Sequence, residues 1–346
     1  MTKQINVGGV PIGGGAPLTV QSMTNTKTED VAATLEQIAR LREAGCDIVR
    51  LAVPSLAAAE ALHAIVKGAG VPVVADIHFD YRLALAAIRA GAAKIRINPG
   101  NIGGEENVAA VARACRERAI PIRIGVNGGS LEKDLLKKYG RPTAEAMVES
   151  AGRHVRLLEK FGFEDVCLSL KASSVPLTVQ AYRLASKQFP YPLHLGVTEA
   201  GTRFMGTVQS AVGIGALLLD GIGDTIRVSL TDDPTEEVYA GIAILKAAGV
   251  RTGGVKFISC PTCGRTEIDL IGTARAVEER LKNCRRDITV AVMGCVVNGP
   301  GEAREADYGI AGGKNCGVLF KKGEIVGKVE GDRLADALAE LIESEN

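Results

Sequence analysis

Short runs of β-branched and aliphatic residues recur along the first two-thirds of the chain, at residues 19–23, 47–53, 71–77, 93–98, 121–126, 165–170, 192–197 and 224–230. Between them lie amphipathic stretches such as 30–44 and 56–67, rich in Ala, Leu, Arg and Glu. The short runs predict strands and the longer periodic stretches predict helices. Ala-Gly pairs at 44–45, 69–70, 90–91 and 248–249 mark helix ends. Eight strand–helix alternations in succession predict a (β/α)8 TIM barrel, with a doubly wound open sheet as the alternative. The opening VGGVPIGGGAPL reads as a hairpin ahead of the first barrel strand. It precedes a strand rather than following one, which does not fit a nucleotide-binding loop.

After Gly249 the rhythm changes. Thr252-Gly253-Gly254 reads as a linker. A Cys-rich segment follows, then a helix near 267–282, an apolar strand at 288–293 and a Gly-rich loop. A hairpin within 318–329 and a last helix complete a small α/β domain. The expected division is therefore a substrate-binding barrel over 1–251 and a smaller domain over 252–346.

Composition narrows the function classes. The formal net charge is +1, aromatic residues are 4% and there is no Trp, so neither a global basic field nor a base-stacking surface for nucleic acid is expected. The first residues lack an apolar signal-peptide core, and no apolar run reaches the length of a membrane span. A cytoplasmic protein without a membrane partner is expected. There, eight cysteines are more readily thiols or metal ligands than disulfides.

The chemistry of such barrels sits at the C-terminal ends of the strands. Those ends are polar here: Gln21 to Asn25, Arg50, Asp76 with His78, Arg96 with Asn98, Arg123 with Asn127, Lys171, Thr198-Glu199, and Arg227 with Ser229. Arg50, Arg96, Arg123, Lys171 and Arg227 come from separate strands and point toward one mouth. Clustered like charges repel unless an anion neutralises them, and a phosphate or diphosphate suits the guanidinium fork. Asp76 and Glu199 are the candidate acid–base groups. His78 is a candidate phosphate donor or proton carrier, and the other three histidines read as structural.

Cys260-Pro-Thr-Cys263 admits zinc, a redox dithiol or an iron–sulfur cluster. No second C-x-x-C completes a zinc ribbon. Cys295 lies in GCVVNGPGE, a loop too rich in Gly and Pro to be core. Three thiolates on two loops suit a cubane with one iron left for another ligand, and Glu302, Cys316 and Cys284 are the candidates. Cys46, Cys115, Cys167 and Cys284 have helical or strand settings and read as buried apolar residues, Cys284 thus standing under both readings.

These motifs together resemble the 4-hydroxy-3-methylbut-2-en-1-yl diphosphate synthases, the reductive ring-opening enzymes of the non-mevalonate isoprenoid pathway. VPIGGGAPLTVQSMTNT, ADIHF, KIRINPGN, RIGVN, SLKAS, VTEAG, RVSL, CPTCGR and GCVVNGPGE carry the resemblance across nearly the whole chain. The length is similar to the two-domain bacterial form. The resemblance implies a [4Fe-4S] cluster on Cys260, Cys263, Cys295 and Glu302. It implies a cyclic diphosphate substrate, 2-C-methyl-D-erythritol 2,4-cyclodiphosphate, on Arg50, His78, Arg96, Arg123, Lys171, Arg227 and Ser229. Asp76, Asn127, Thr198 and Glu199 would stand nearer the reacting carbons, with Glu199 as proton donor in a closed site. Flavodoxin or ferredoxin is the implied electron donor.

Connectivity adds an expectation of its own. Each barrel helix runs back from the mouth, so the smaller domain attaches at the bottom face. A helix of 16 residues spans about 24 Å, and the linker is short. The cluster is therefore expected to serve the barrel of a second copy, in a head-to-tail homodimer with the site formed in trans. Two rival readings remain: a non-redox barrel enzyme with a zinc-binding appendage, and an RNA-binding protein.

Overall fold

The apolar runs of the first two-thirds pair as parallel strands. The computed structural model describes residues 1–282, 284–295, 304–314 and 316–345. A short antiparallel hairpin, β1 (Ile5–Val7) and β2 (Val10–Ile12), comes first. The barrel strands follow: β3 (Thr19–Met23), β4 (Ile48–Ala52), β5 (Val73–Asp76), β6 (Lys94–Ile97), β7 (Ile122–Asn127), β8 (Val166–Lys171), β9 (His194–Leu195) and β10 (Thr225–Ile226). Helices return between them: α1 (Val31–Glu43), α2 (Leu56–Gly68), α3 (Tyr81–Ala90), α4 (Glu105–Glu117), α5 (Lys133–Tyr139), α6 (Ala144–Lys160), α7 (Val175–Gln188), α8 (Arg203–Leu219) and α9 (Pro234–Ala247).

The sheet order is β8-β7-β6-β5-β4-β3-β10-β9, and a parallel bridge from Leu168 to Leu193 joins its two ends. The sheet is thus a nearly closed barrel, not the open alternative. Side chains facing outward, such as Val49, Leu51, Ile95, Ile97, Ile122 and Ile124, share one apolar cluster with the helices. Local chemistry sets the helix starts. Asp30, Ser55, Thr143 and Ser174 each accept a backbone N–H of the first turn. The hairpin closes the bottom, where Ile5, Val7 and Ile12 pack on Ile48, Val74 and Cys167.

The chain divides into two compact units, Met1–Arg251 and Thr252–Asn346. In the second, five strands lie in the order β11 (Val255–Ser259), β12 (Ile288–Met293), β13 (Tyr308–Gly312), β14 (Cys316–Lys321) and β15 (Glu324–Glu330). The first three are parallel and the last two antiparallel. α10 (Leu270–Leu281) and α11 (Leu334–Glu343) cover one face through Val277, Leu281, Leu334 and Leu338 on Val290, Val292 and Ile310. Among the described residues, no helix is long and apolar enough to cross a membrane.

Candidate functional site

Alternation along each strand sends every second side chain into the barrel. Branched apolar residues usually fill that interior. Here six basic side chains enter it: Arg50, Lys94, Arg96, Arg123, Lys171 and Arg227. Two carboxylates answer them. Asp76, at the end of β5, is buried and accepts from Arg96 Nη1 at 3.0 Å, with Arg50 Nε 3.6 Å from its other oxygen. Glu237, on the first turn of α9, holds Arg227 at 3.3 Å and also accepts from Ser22 Oγ at 3.0 Å and Leu230 N–H at 3.1 Å.

The remaining donors are poorly supplied. Arg50 turns its Nε and Nη2 on the Met23 sulfur, at 3.1 and 2.9 Å, and a thioether is a weak acceptor. Arg123 gives one N–H to Ser169 Oγ at 2.8 Å, and its Nε and Nη2 have no protein partner. Lys94 Nζ, Arg96 Nε and both ring nitrogens of His194 are likewise buried without a protein partner.

This crowding shows in the acidities. Burial, then Arg96, pulls Arg123 down to about 10 despite Asp76. Burial pushes Lys171 far down, with Arg123, Arg227 and Arg50 adding to it and Glu237 opposing. Burial and the neighbouring cations hold His194 neutral. Burial works to raise Asp76, but Arg50, Arg96, Arg123 and His78 outweigh it and keep that carboxyl ionised. A buried excess of positive charge is costly unless an anion completes it. The barrel interior is therefore receptive to a multiply charged anion.

Two inward glycines make the room. A Cβ on Gly125 would stand 2.8 Å from Arg96 Nε, and one on Gly196 would stand 2.5 Å from Lys171 Nζ. The polar strand-end pattern in the sequence does not single out Gly125, Gly196, Lys94 or Glu237. The first three lie on the same strand faces as the noticed residues, so strand parity was the available signal. Glu237 carried none, because its role depends on where α9 starts.

The other expected residues line the rim. Asn127, Thr198 and Ser229 are half-buried, and His78 is exposed on the loop after β5 beside Phe79. The Thr198 N–H donates to Ala172 O at 3.3 Å and ties the loops after β9 and β8 together. Glu199 is exposed rather than enclosed, with a left-handed φ of 54°. A non-glycine residue in that region carries strain, which is common in functional loops.

In the second unit, parallel pairing sets the loops after β11 and β12 side by side. Cys260 and Cys263 lie on the first, and Cys295 ends the described part of the second. Gly294 joins them: its N–H donates to Cys260 Sγ at 3.2 Å and its carbonyl accepts from Glu267 N–H at 2.9 Å. The backbone N–H and side chain of Arg265 hold the Cys263 thiol below its ordinary value. N–H donors to sulfur and a stabilised thiolate are what an iron–sulfur cluster asks of its ligands.

Among the described residues, no three His, Cys, Asp or Glu side chains converge as they would around a single metal ion. A cubane spreads its ligands more widely, and Glu302 lies outside the described residues. Of the other candidates for the fourth ligand, Cys284 precedes β12, about 20 Å of strand away from Cys295. Cys316 begins β14 at the near edge. Cys46, Cys115 and Cys167 are buried as expected, and burial raises the first two to about 12, whereas Cys284 is only half-buried.

Fold and site define a class: a parallel α/β barrel with an anion-receptive mouth, joined to a small α/β unit that gathers cysteines at one sheet edge. The chain belongs to the GcpE family, whose TIM-barrel domain matches residues 2–242 and whose C-terminal domain matches residues 256–344. It is 61% identical, over 99% of its length and 97% of the relative's, to a Geobacter sulfurreducens protein named 4-hydroxy-3-methylbut-2-en-1-yl diphosphate synthase (flavodoxin). A Clostridium perfringens protein of the same name is 59% identical over 99% of this chain and 98% of its own. Among solved structures, the barrel is similar to a truncated 3-deoxy-D-arabino-heptulosonate 7-phosphate synthase from Thermotoga maritima, at TM-score 0.54 and 16% identity, over 72% of this chain and 94% of that one. Dihydropteroate synthase from Yersinia pestis gives TM-score 0.52 and 15% identity, over 72% and 100%. Those two likenesses concern the fold alone.

Proposed function

We propose that this chain opens 2-C-methyl-D-erythritol 2,4-cyclodiphosphate reductively, giving 4-hydroxy-3-methylbut-2-enyl diphosphate and water, with two electrons and two protons consumed. The observation that carries the reading is the buried excess of cations in the barrel, in a chain whose full-length relatives are named for this diphosphate product. Arg50, Arg96, Arg123, Lys171 and Arg227 hold the diphosphate from within, and His78 and Ser229 hold it from the rim. Asp76 fixes the forks of Arg50 and Arg96. Asn127 and Thr198 orient the carbon skeleton, and Glu199 donates a proton to the departing hydroxyl when its loop closes on the ligand.

Cys260, Cys263, Cys295 and Glu302 would hold a [4Fe-4S] cluster, which supplies electrons one at a time. Flavodoxin, printed in the relatives' names, or ferredoxin is the donor. The setting is cytoplasmic, consistent with eight free cysteines.

The site forms in trans within a homodimer. α9 runs for 14 residues, about 21 Å, away from the mouth. Arg251, the last residue of the barrel unit, reaches Asp47 at 3.4 Å, next to the first residue of β4. The chain thus leaves the barrel at the face opposite its mouth, and a second copy's cysteines serve that mouth.

Iron and sulfide analysis of anaerobically purified protein, with an assay on the cyclodiphosphate, tests the reading. About four irons and four sulfides per chain with turnover are expected. Stoichiometric zinc without iron, or a colourless protein inert toward the cyclodiphosphate, would refute it.

A further inference from the structure

Lys94 stands apart from the other five basic residues of the barrel interior. It occupies β6 two residues below Arg96 and on the same face, roughly 7 Å deeper in the barrel. It is fully buried, and its Nζ has no protein partner. The bottom is closed beneath it by the apolar hairpin, whose Gly8 lies against Pro72 and Ala93 at the strand starts. The mouth is thus the open end of the chamber. Buried polar atoms without protein partners imply ordered water, and here they include both amide atoms of Gln21, both nitrogens of His194, and Nε and Nη2 of Arg123.

We infer that Lys94 is a buried charge-compensating residue that takes up a proton from solvent, through the mouth, when the diphosphate binds above it. This rests on the reading of the mouth as a diphosphate site and adds to it a residue that never touches the ligand.

The groups facing Lys94 decide the direction of the effect. Arg50 on β4 and Arg123 on β7 oppose its charge, Cys167 on β8 faces it as a thiol that burial keeps protonated, and Arg96 follows on its own strand. His194 on β9, held neutral, also feels it. Burial leads these influences and brings Lys94 down to about 8. In the free protein near that pH its amine is shared between charged and neutral forms. A diphosphate adds negative charge above it, neutralises the competing guanidiniums and draws the amine to the ammonium form.

The test is calorimetric. The cyclodiphosphate binds to oxidised, cluster-loaded, full-length protein without reductant, so no turnover occurs. Its two diester-type phosphates are fully ionised near neutral pH, so the ligand itself exchanges no protons there. Titrations in buffers of different ionisation enthalpy count the protons taken up by wild type and by Lys94→Met. At pH 8 wild type should take up about half a proton per site more than the variant, and at pH 6.5 the difference should vanish. Over the same range the affinity of wild type should fall with rising pH more steeply than that of the variant. Lys94→Gln replaces Lys94→Met if the latter fails to fold or to bind. Equal uptake in wild type and variant at both pH values overturns the inference while leaving the diphosphate site standing. Absence of binding to wild type overturns both.

Discussion

Asp76 illustrates how a single carboxylate organises this interior. It sits between Arg50 and Arg96, and its ionised form is favoured by both. Removing its charge leaves two buried guanidiniums facing each other, so Asp76→Asn should destabilise the barrel by about 3 kcal/mol at pH 7, measured by chemical denaturation. With its acidity strengthened on folding, the wild-type advantage is present above the unfolded carboxylate range and disappears as pH falls through the lower folded value. The same variant should bind inorganic pyrophosphate about tenfold more tightly, because a competing negative charge is gone. Weaker binding would mean that Asp76 matters mainly for aiming the two forks.

Lys94 gives the opposite sign. Its folded value of about 8 lies below the ordinary lysine range, so the charged form is penalised by folding. The penalty is full below pH 8 and fades as pH rises toward 10.5. Lys94→Met should therefore stabilise the free protein by about 1–3 kcal/mol at pH 7 and by little near pH 10.5. A variant less stable than wild type at pH 7 would show that the ordered water of the chamber solvates the ammonium well enough to remove this penalty.

The strands β6, β7, β8 and β9 show how a face, rather than a residue, is designed. Arg96 crosses over Gly125 on the next strand, and the Lys171 amine lies over Gly196. Gly125→Ala presses only on the far end of a flexible side chain. It should keep the fold and weaken cyclodiphosphate binding about tenfold, the worth of one charge-assisted hydrogen bond. Gly196→Ala also meets the Arg227 carbonyl at 2.6 Å, which cannot give so easily, and should lower the melting temperature more than Gly125→Ala does. Equal melting temperatures would remove the distinction.

Element by element, the barrel was legible because its strands are short apolar runs separated by capped helices. Two runs predicted at 192–197 and 224–230 form regular strand only at His194–Leu195 and Thr225–Ile226. The ladder ends there, and the residues beyond it, Gly196-Val197 and Arg227 to Leu230, lead on toward the loops of the mouth. In the second unit β12 matches the expected 288–293, but β11 and β13 went unread. β11 is half-exposed and follows a glycine pair that reads as linker. β13 carries two glycines in five residues, which lowers strand propensity, and its partners lie far along the chain. The five cations Arg50, Arg96, Arg123, Lys171 and Arg227 were legible from their places near the C-terminal ends of five strands. Their counter-charge Glu237 was not, because only the three-dimensional start of α9 brings it to Arg227.

At the scale of the whole molecule, connectivity constrains which mouth the cysteines can serve. The barrel unit ends beside Asp47, at the foot of β4, and the cysteine-bearing loops begin after β11. If the cysteines of one copy serve the mouth of another, defects in the two units must complement. A Cys260→Ser chain retains an intact mouth, and a Glu199→Gln chain retains intact cysteines. Each homodimer should be nearly inactive. A heterodimer isolated through two affinity tags should recover up to half of wild-type activity, since one of its two composite sites contains neither substitution. If sites instead form within one chain, every site in the heterodimer carries one defect and activity stays at the level of the parents. Gel filtration before the assay separates the two accounts from simple failure to associate, because the trans arrangement requires a dimer at the enzyme concentrations used.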